Sequence, residues 1–136
     1  MGRILAIDYG TKRVGLAVSD PNKIIATGLT TIHSKDLMDF LKVYVVNEMV
    51  ECIVIGEPKR MNNNPSDVEK QITPFLIHLQ RTFPAITIKR MDERFTSKIA
   101  FQTMIDAGLG KKARQNKATI DMISATLILQ TYMNQA

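Results

Sequence analysis

The run Ile4-Leu5-Ala6-Ile7 is apolar at every position and stops at Asp8. An extended segment of this kind is buried on both of its faces, so the fold has to supply a layer on each side of it. The Tyr9-Gly10-Thr11-Lys12 turn separates it from a second β-rich run, and Arg3 to Asp8 with Arg13 to Asp20 therefore reads as a hairpin. Ile24 to Ile32 is a third strand, and Cys52 to Gly56 is a further short, buried one.

Helical spacing fills the intervals. Leu37, Met38, Leu41, Val45 and Met49 recur along Lys35 to Val50 as the apolar stripe of an amphipathic helix capped by Ser34. After the turn cluster Asn62-Asn63-Asn64-Pro65, Ser66 or Asp67 can start a helix that carries Val68, Ile72, Phe75, Leu76 and Leu79 toward Phe83, with Pro74 placed to bend it. Ile86, Ile88 and Arg90 alternate with Thr87, Lys89 and Met91, which suits an edge strand with one wetter face. Thr96 to Ala107 and Lys117 to Asn134 read as two more helices.

Three meandering strands followed by helical crossovers put the fourth and fifth strands parallel to the first. Ligands of such open sheets gather beyond the carboxyl ends of the strands. Asp8 ends the first strand, Glu57 follows the fourth and Asp92-Glu93 follows the fifth, so carboxylates collect where that rule places a site.

A length of 136 residues is that of one domain, taken here as residues 1–136. The longest apolar runs fall well short of the roughly 18 residues of a membrane span, and the first residues lack a leader pattern, so a cytoplasmic protein without a membrane partner is expected. Cys52, the sole cysteine, reads as core in a reducing compartment. His33 and His78 are isolated and read as surface or capping residues. A net charge of +5 favours an anionic partner.

Asp8 alone could be a turn-capping aspartate. Asp121 changes the balance, because it shares a helix face with Ala118, Ala125 and Ile128, where a carboxylate must be paired, protonated or bound to a cation. In Asp92-Glu93-Arg94-Phe95-Thr96-Ser97, Arg94 can bind a carboxylate or phosphate and Thr96 can cap the following helix. Carboxylates at Asp8, Glu93 and Asp121, without cysteine or histidine ligands nearby, suit Mg²⁺ or Mn²⁺. Two such ions about 4 Å apart would serve phosphodiester hydrolysis. Lys111, Lys112, Arg114 and Lys117 form a basic stretch ahead of the Asp121 helix, and Lys12 and Arg13 add charge from the hairpin; all can hold nucleic-acid phosphates.

Asp8 to Asp20, Gly56-Glu57-Pro58, Asp92 to Ser97 and Lys117 to Tyr132 together resemble the YqgF (RuvX) family over essentially the whole chain. The resemblance implies an α/β, ribonuclease-H-like fold with a mixed five-stranded sheet of order 3-2-1-4-5 and helices on both faces. It also implies a nuclease of 16S ribosomal RNA precursor 5′ ends, with Holliday-junction resolution of branched DNA as an older assignment. By the same resemblance the acids transfer to Asp8, Glu93 and Asp121, with Arg94 and Thr96 beside them and Asp92 as a substitute. Glu57 stands where many relatives have an apolar residue, and is either an added ligand or a surface charge. Two rivals are an ATP-binding domain of the actin and sugar-kinase type, disfavoured by length, and a non-catalytic RNA-binding module, disfavoured by the complete acid set.

Overall fold

The computed structural model describes residues 2–57, 69–92 and 117–135. Its elements are β1 (Arg3–Tyr9), β2 (Arg13–Ser19), β3 (Ala26–His33), a 3-10 turn (Ser34–Asp36), α1 (Leu37–Asn47), β4 (Val50–Glu57), α2 (Glu69–Thr82), β5 (Thr87–Asp92) and α3 (Lys117–Gln135). The strands form one sheet in the order β3-β2-β1-β4-β5. β1 pairs antiparallel with β2 and parallel with β4, and β5 extends the parallel side as its edge. This is the order and mixture of directions that the family resemblance implies.

Strand alternation divides the side chains between two layers. Leu5, Ile7, Val14, Leu16, Ile53 and Ile55 face one side, where Leu37, Leu41 and Val45 of α1 and Ile72 and Leu79 of α2 cover them. Ile4, Ala6, Ala17, Cys52, Val54 and Met91 face the other, under Ala125, Ile128 and Leu129 of α3. The apolar run of β1 is thus buried on both faces because it lies at the centre of three layers. Small residues in the sheet let α3 come close. A Cβ added to Gly15 would collide with the backbone of Asp121, and one added to Gly28 would meet Met122 Cγ at 2.8 Å.

Several boundaries differ from the sequence reading. The third strand starts at Ala26, because the Asp20 carboxylate accepts the N–H groups of Ile24 and Ile25 at 2.7 Å each and withholds them from the ladder. The N–H of Ile25 is the main reason that the Asp20 carboxyl is held below its ordinary value. Ser34 is not the cap of α1: His33 Nδ1 accepts from the Lys35 N–H, and a 3-10 turn precedes the helix. The Ser34 hydroxyl donates instead to the Thr11 carbonyl. α1 ends at Asn47 because Met49 turns into the left-handed region at φ 52°, so Met49 leaves the apolar stripe and is 68 % exposed. Met91, assigned to the wetter face of β5, is buried with the α3 layer.

The readings of Cys52 and His78 hold. Cys52 is buried, and that burial pushes its thiol up, away from thiolate chemistry. His78 is exposed on α2. Pro74 lies inside α2. No helix among the described residues is long and apolar enough to cross a membrane. The Asn62–Pro65 turn, the helix start at Ser66 or Asp67 and the Thr96–Ala107 helix lie outside the described residues.

Candidate active site

Asp8 is the penultimate residue of β1 and follows Ile4 and Ala6 in alternation, which directs it to the α3 side of the sheet. Its partner across the β1–β2 ladder is Gly15. Directly over Gly15 lies the backbone of Asp121, so close that only a glycine leaves room. One glycine therefore sets two acids from opposite ends of the chain beside each other. It does so through space alone, since the glycine has no left-handed φ.

Arg13 opens β2 on the same face as Gly15 and Ala17. Its Nε donates to Asp121 Oδ2 at 2.8 Å across 108 positions of sequence. Asp121 heads the α3 face whose later members Ala125 and Ile128 are buried, yet its own side chain keeps 24 % exposure and that of Arg13 43 %. Of the ways in which a carboxylate on a packed face can be accommodated, this one is ion pairing at a rim open to water.

The hairpin loop is fixed from both sides. Tyr9 points to the opposite face and packs on Phe75 of α2, with ring centroids 5.1 Å apart. The Ser34 hydroxyl and N–H donate to the carbonyls of Thr11 and Lys12 at 2.9 and 3.0 Å. Lys12 itself is exposed. Asp8 thus ends a strand whose following loop is tied to α2 and to the end of β3.

Arg90 organises the neighbouring strand ends from the other face. It donates from Nη1 and Nη2 to the two carboxylate oxygens of Glu69 at 2.8 and 3.0 Å, and from Nη2 to the Gly56 carbonyl at 2.9 Å. Glu57 stands 3.9 Å from the same guanidinium. Glu57 and Asp92 are cross-strand partners, and alternation from Ile55 and Met91 turns both away from the α3 side. Neither shares a face with Asp8. Sequence reading missed this clamp; its trace was an arginine spaced by two from Ile88.

Of the expected acids, Asp8 and Asp121 are brought together and Glu93 lies outside the described residues, as do Arg94, Thr96, Lys111, Lys112 and Arg114. Lys117 opens α3. Among the described residues no group of three or more His, Cys, Asp or Glu side chains is placed to hold a metal ion.

Comparison with known proteins identifies the family and the fold. The family model described as RuvX, Holliday junction resolvase, matches residues 2–135. A Flavobacterium johnsoniae protein named "Putative pre-16S rRNA nuclease" is 57 % identical over 134 residues, covering 98 % of this chain and 97 % of its own. A Bacteroides thetaiotaomicron protein of the same name is 55 % identical over 98 % of this chain and 96 % of its own. Among solved structures, Thermus thermophilus RuvC matches with a TM-score of 0.59 at 14 % identity, over 98 % of this chain and 96 % of that one. The same protein in complex with a Holliday junction substrate gives 0.60 at 14 % identity, over 100 % and 97 %. The shared fold is the RuvC-like, ribonuclease-H-like one.

Proposed function

The chain belongs to the RuvX family, and from that premise we propose that it is a metal-dependent nuclease that hydrolyses phosphodiester bonds in precursor 16S ribosomal RNA. The observation that carries the reading is that Asp8 and the backbone of Asp121 both adjoin Gly15, at the carboxyl end of β1. Relatives sharing more than half of their residues over full length bear the name of an RNA nuclease, whereas the junction-bound structure, at 14 % identity, speaks for the fold alone.

The donor chemistry fits a hard divalent cation. Asp8 and Asp121 offer carboxylate oxygen at a water-exposed rim, and Asp121 already holds a cationic group in Arg13. Cys52 on the same face pairs with Ile4 at the far end of β1, and His33 opposite Arg13 has its Nδ1 engaged by the Lys35 N–H. Glu93 is the proposed third acid, since Asp92 and Glu57 point to the opposite side of the sheet. Asp8, Asp121 and Glu93 would hold two Mg²⁺ or Mn²⁺ ions, which when bound would supply activation of the attacking water and charge stabilisation at the leaving oxygen. The chain's own groups do the rest: the tied hairpin orients Asp8, and α3 orients Asp121. Lys12, Arg13, Arg94, Lys111, Lys112, Arg114 and Lys117 hold the flanking phosphates, supported by the overall charge of +5.

A cleavage assay offering precursor 16S RNA, generic single-stranded RNA and a four-way DNA junction, each with Mg²⁺ or Mn²⁺, tests the proposal. Preferential cleavage of the precursor RNA is expected. Preference for the junction would transfer the function to branched DNA, and binding without cleavage of any substrate would leave a non-catalytic nucleic-acid module.

A further inference from the structure

We infer that Arg13 is an internal counter-ion that holds the Asp121 carboxylate in the metal-free protein and gives it up to the metal, so that cation binding at this site is an exchange rather than an addition. The inference deepens the proposed function and rests on Asp121 being a ligand. Its basis is geometric: Arg13 Nε donates to Asp121 Oδ2 at 2.8 Å, and so engages one of the two oxygens with which this carboxylate could ligate a metal.

The pair is built to separate. Arg13 is the first residue of β2, immediately beyond the hairpin loop, and its side chain is 43 % exposed, so no packed layer fixes the guanidinium. Asp121 is held in place differently, by α3 lying directly on Gly15. When the pair opens, the carboxylate stays and the guanidinium swings. In the metal-free state Arg13 also offsets the repulsion between Asp121 and Asp8, which share one face around Gly15. An ion pair at such exposure is weak enough for a divalent cation to displace. Displacement frees a planar, permanently charged group beside the metal, suited to a substrate phosphate.

Arg13→Gln, Arg13→Lys and Asp121→Asn test this by Mn²⁺ titration of the metal-stripped proteins, followed by the loss of the free-ion paramagnetic signal, with circular dichroism as the check on folding. Arg13→Gln is expected to bind Mn²⁺ about fivefold more tightly than wild type, because a competitor of modest strength is gone. Arg13→Lys, which keeps the charge, is expected to remain within about twofold of wild type. Asp121→Asn is expected to bind at least about tenfold more weakly. Unchanged or weaker Mn²⁺ binding in Arg13→Gln, with Asp121→Asn impaired, would overturn the exchange and leave the acid site standing. Wild-type Mn²⁺ binding in Asp121→Asn would remove Asp121 from the metal site and the exchange with it.

Discussion

Asp121 is the residue at which an observed ion pair and a proposed catalytic role meet, and the exposure of its partner decides what its replacement costs. With the Arg13 and Asp121 side chains 43 % and 24 % exposed, their attraction is screened and worth at most about 1 kcal/mol. Asp121→Asn keeps an oxygen that can accept from Arg13 and removes a charge that faces Asp8. Urea denaturation in EDTA should therefore place the variant within about 1 kcal/mol of wild type, while its cleavage rate falls by orders of magnitude. A loss of about 3 kcal/mol or more without metal would show instead that Asp121 balances a buried charge. The need for a partner was legible in the sequence, because a carboxylate in an otherwise apolar helix face cannot be left alone. The partner's identity was not, since 108 positions separate the two. The trace was present in strand parity: Arg13, Gly15 and Ala17 share one face, and a glycine inside an apolar strand marks a close approach.

At the scale of elements, the site depends on how near α3 lies to the sheet. Gly15 and Gly28 both lie beneath that helix, yet they meet different atoms. An added Cβ at Gly15 strikes the Asp121 backbone, which cannot give way without moving the helix. At Gly28 it meets the Cγ and Sδ of Met122 at 2.8 and 3.1 Å, the flexible part of a side chain. Gly15→Ala should therefore cost about 1–3 kcal/mol and displace Asp121, with activity lost even where the protein stays folded. Gly28→Ala should cost less than about 1 kcal/mol and retain cleavage. Thermal melts and rates of the two variants check this; equal, small effects would mean that α3 is not pinned at Gly15. Periodicity found the described helices and strands, but it misplaced ends controlled by local polar contacts. Asp20 withholds Ile24 and Ile25 from β3, and His33, rather than Ser34, caps the turn before α1. Such contacts do not change the hydrophobic pattern, and so they leave no mark in it.

For the molecule as a whole, strand directions were legible in the hairpin, the meander and the two helical crossovers, whereas the order 3-2-1-4-5 was what the family resemblance implied. What alternation could not show was which side each acid takes. That depended on register, and the register turned Glu57 and Asp92 to the α2 side of the sheet, where Glu57 stands near Arg90, and Asp8 toward α3. Both faces of the sheet carry their own apolar layer, independent of any metal. Excess EDTA should accordingly abolish cleavage while leaving the far-ultraviolet circular dichroism unchanged, and full activity in metal-stripped protein would exclude a metal-dependent site.

The proposed phosphodiester-cleaving centre is built on Asp8 and Asp121, which both adjoin Gly15. Its most direct test is the single-turnover cleavage rate of precursor 16S RNA in Mg²⁺ by wild type and by Asp8→Asn, at protein concentrations that saturate the RNA. Loss of groups that merely support a metal ligand lowers affinity or activity by roughly 10–100-fold, so loss of a ligand itself should reduce the rate by more than about a hundredfold with RNA binding retained. A folded Asp8→Asn protein that cleaves at the wild-type rate would contradict the account.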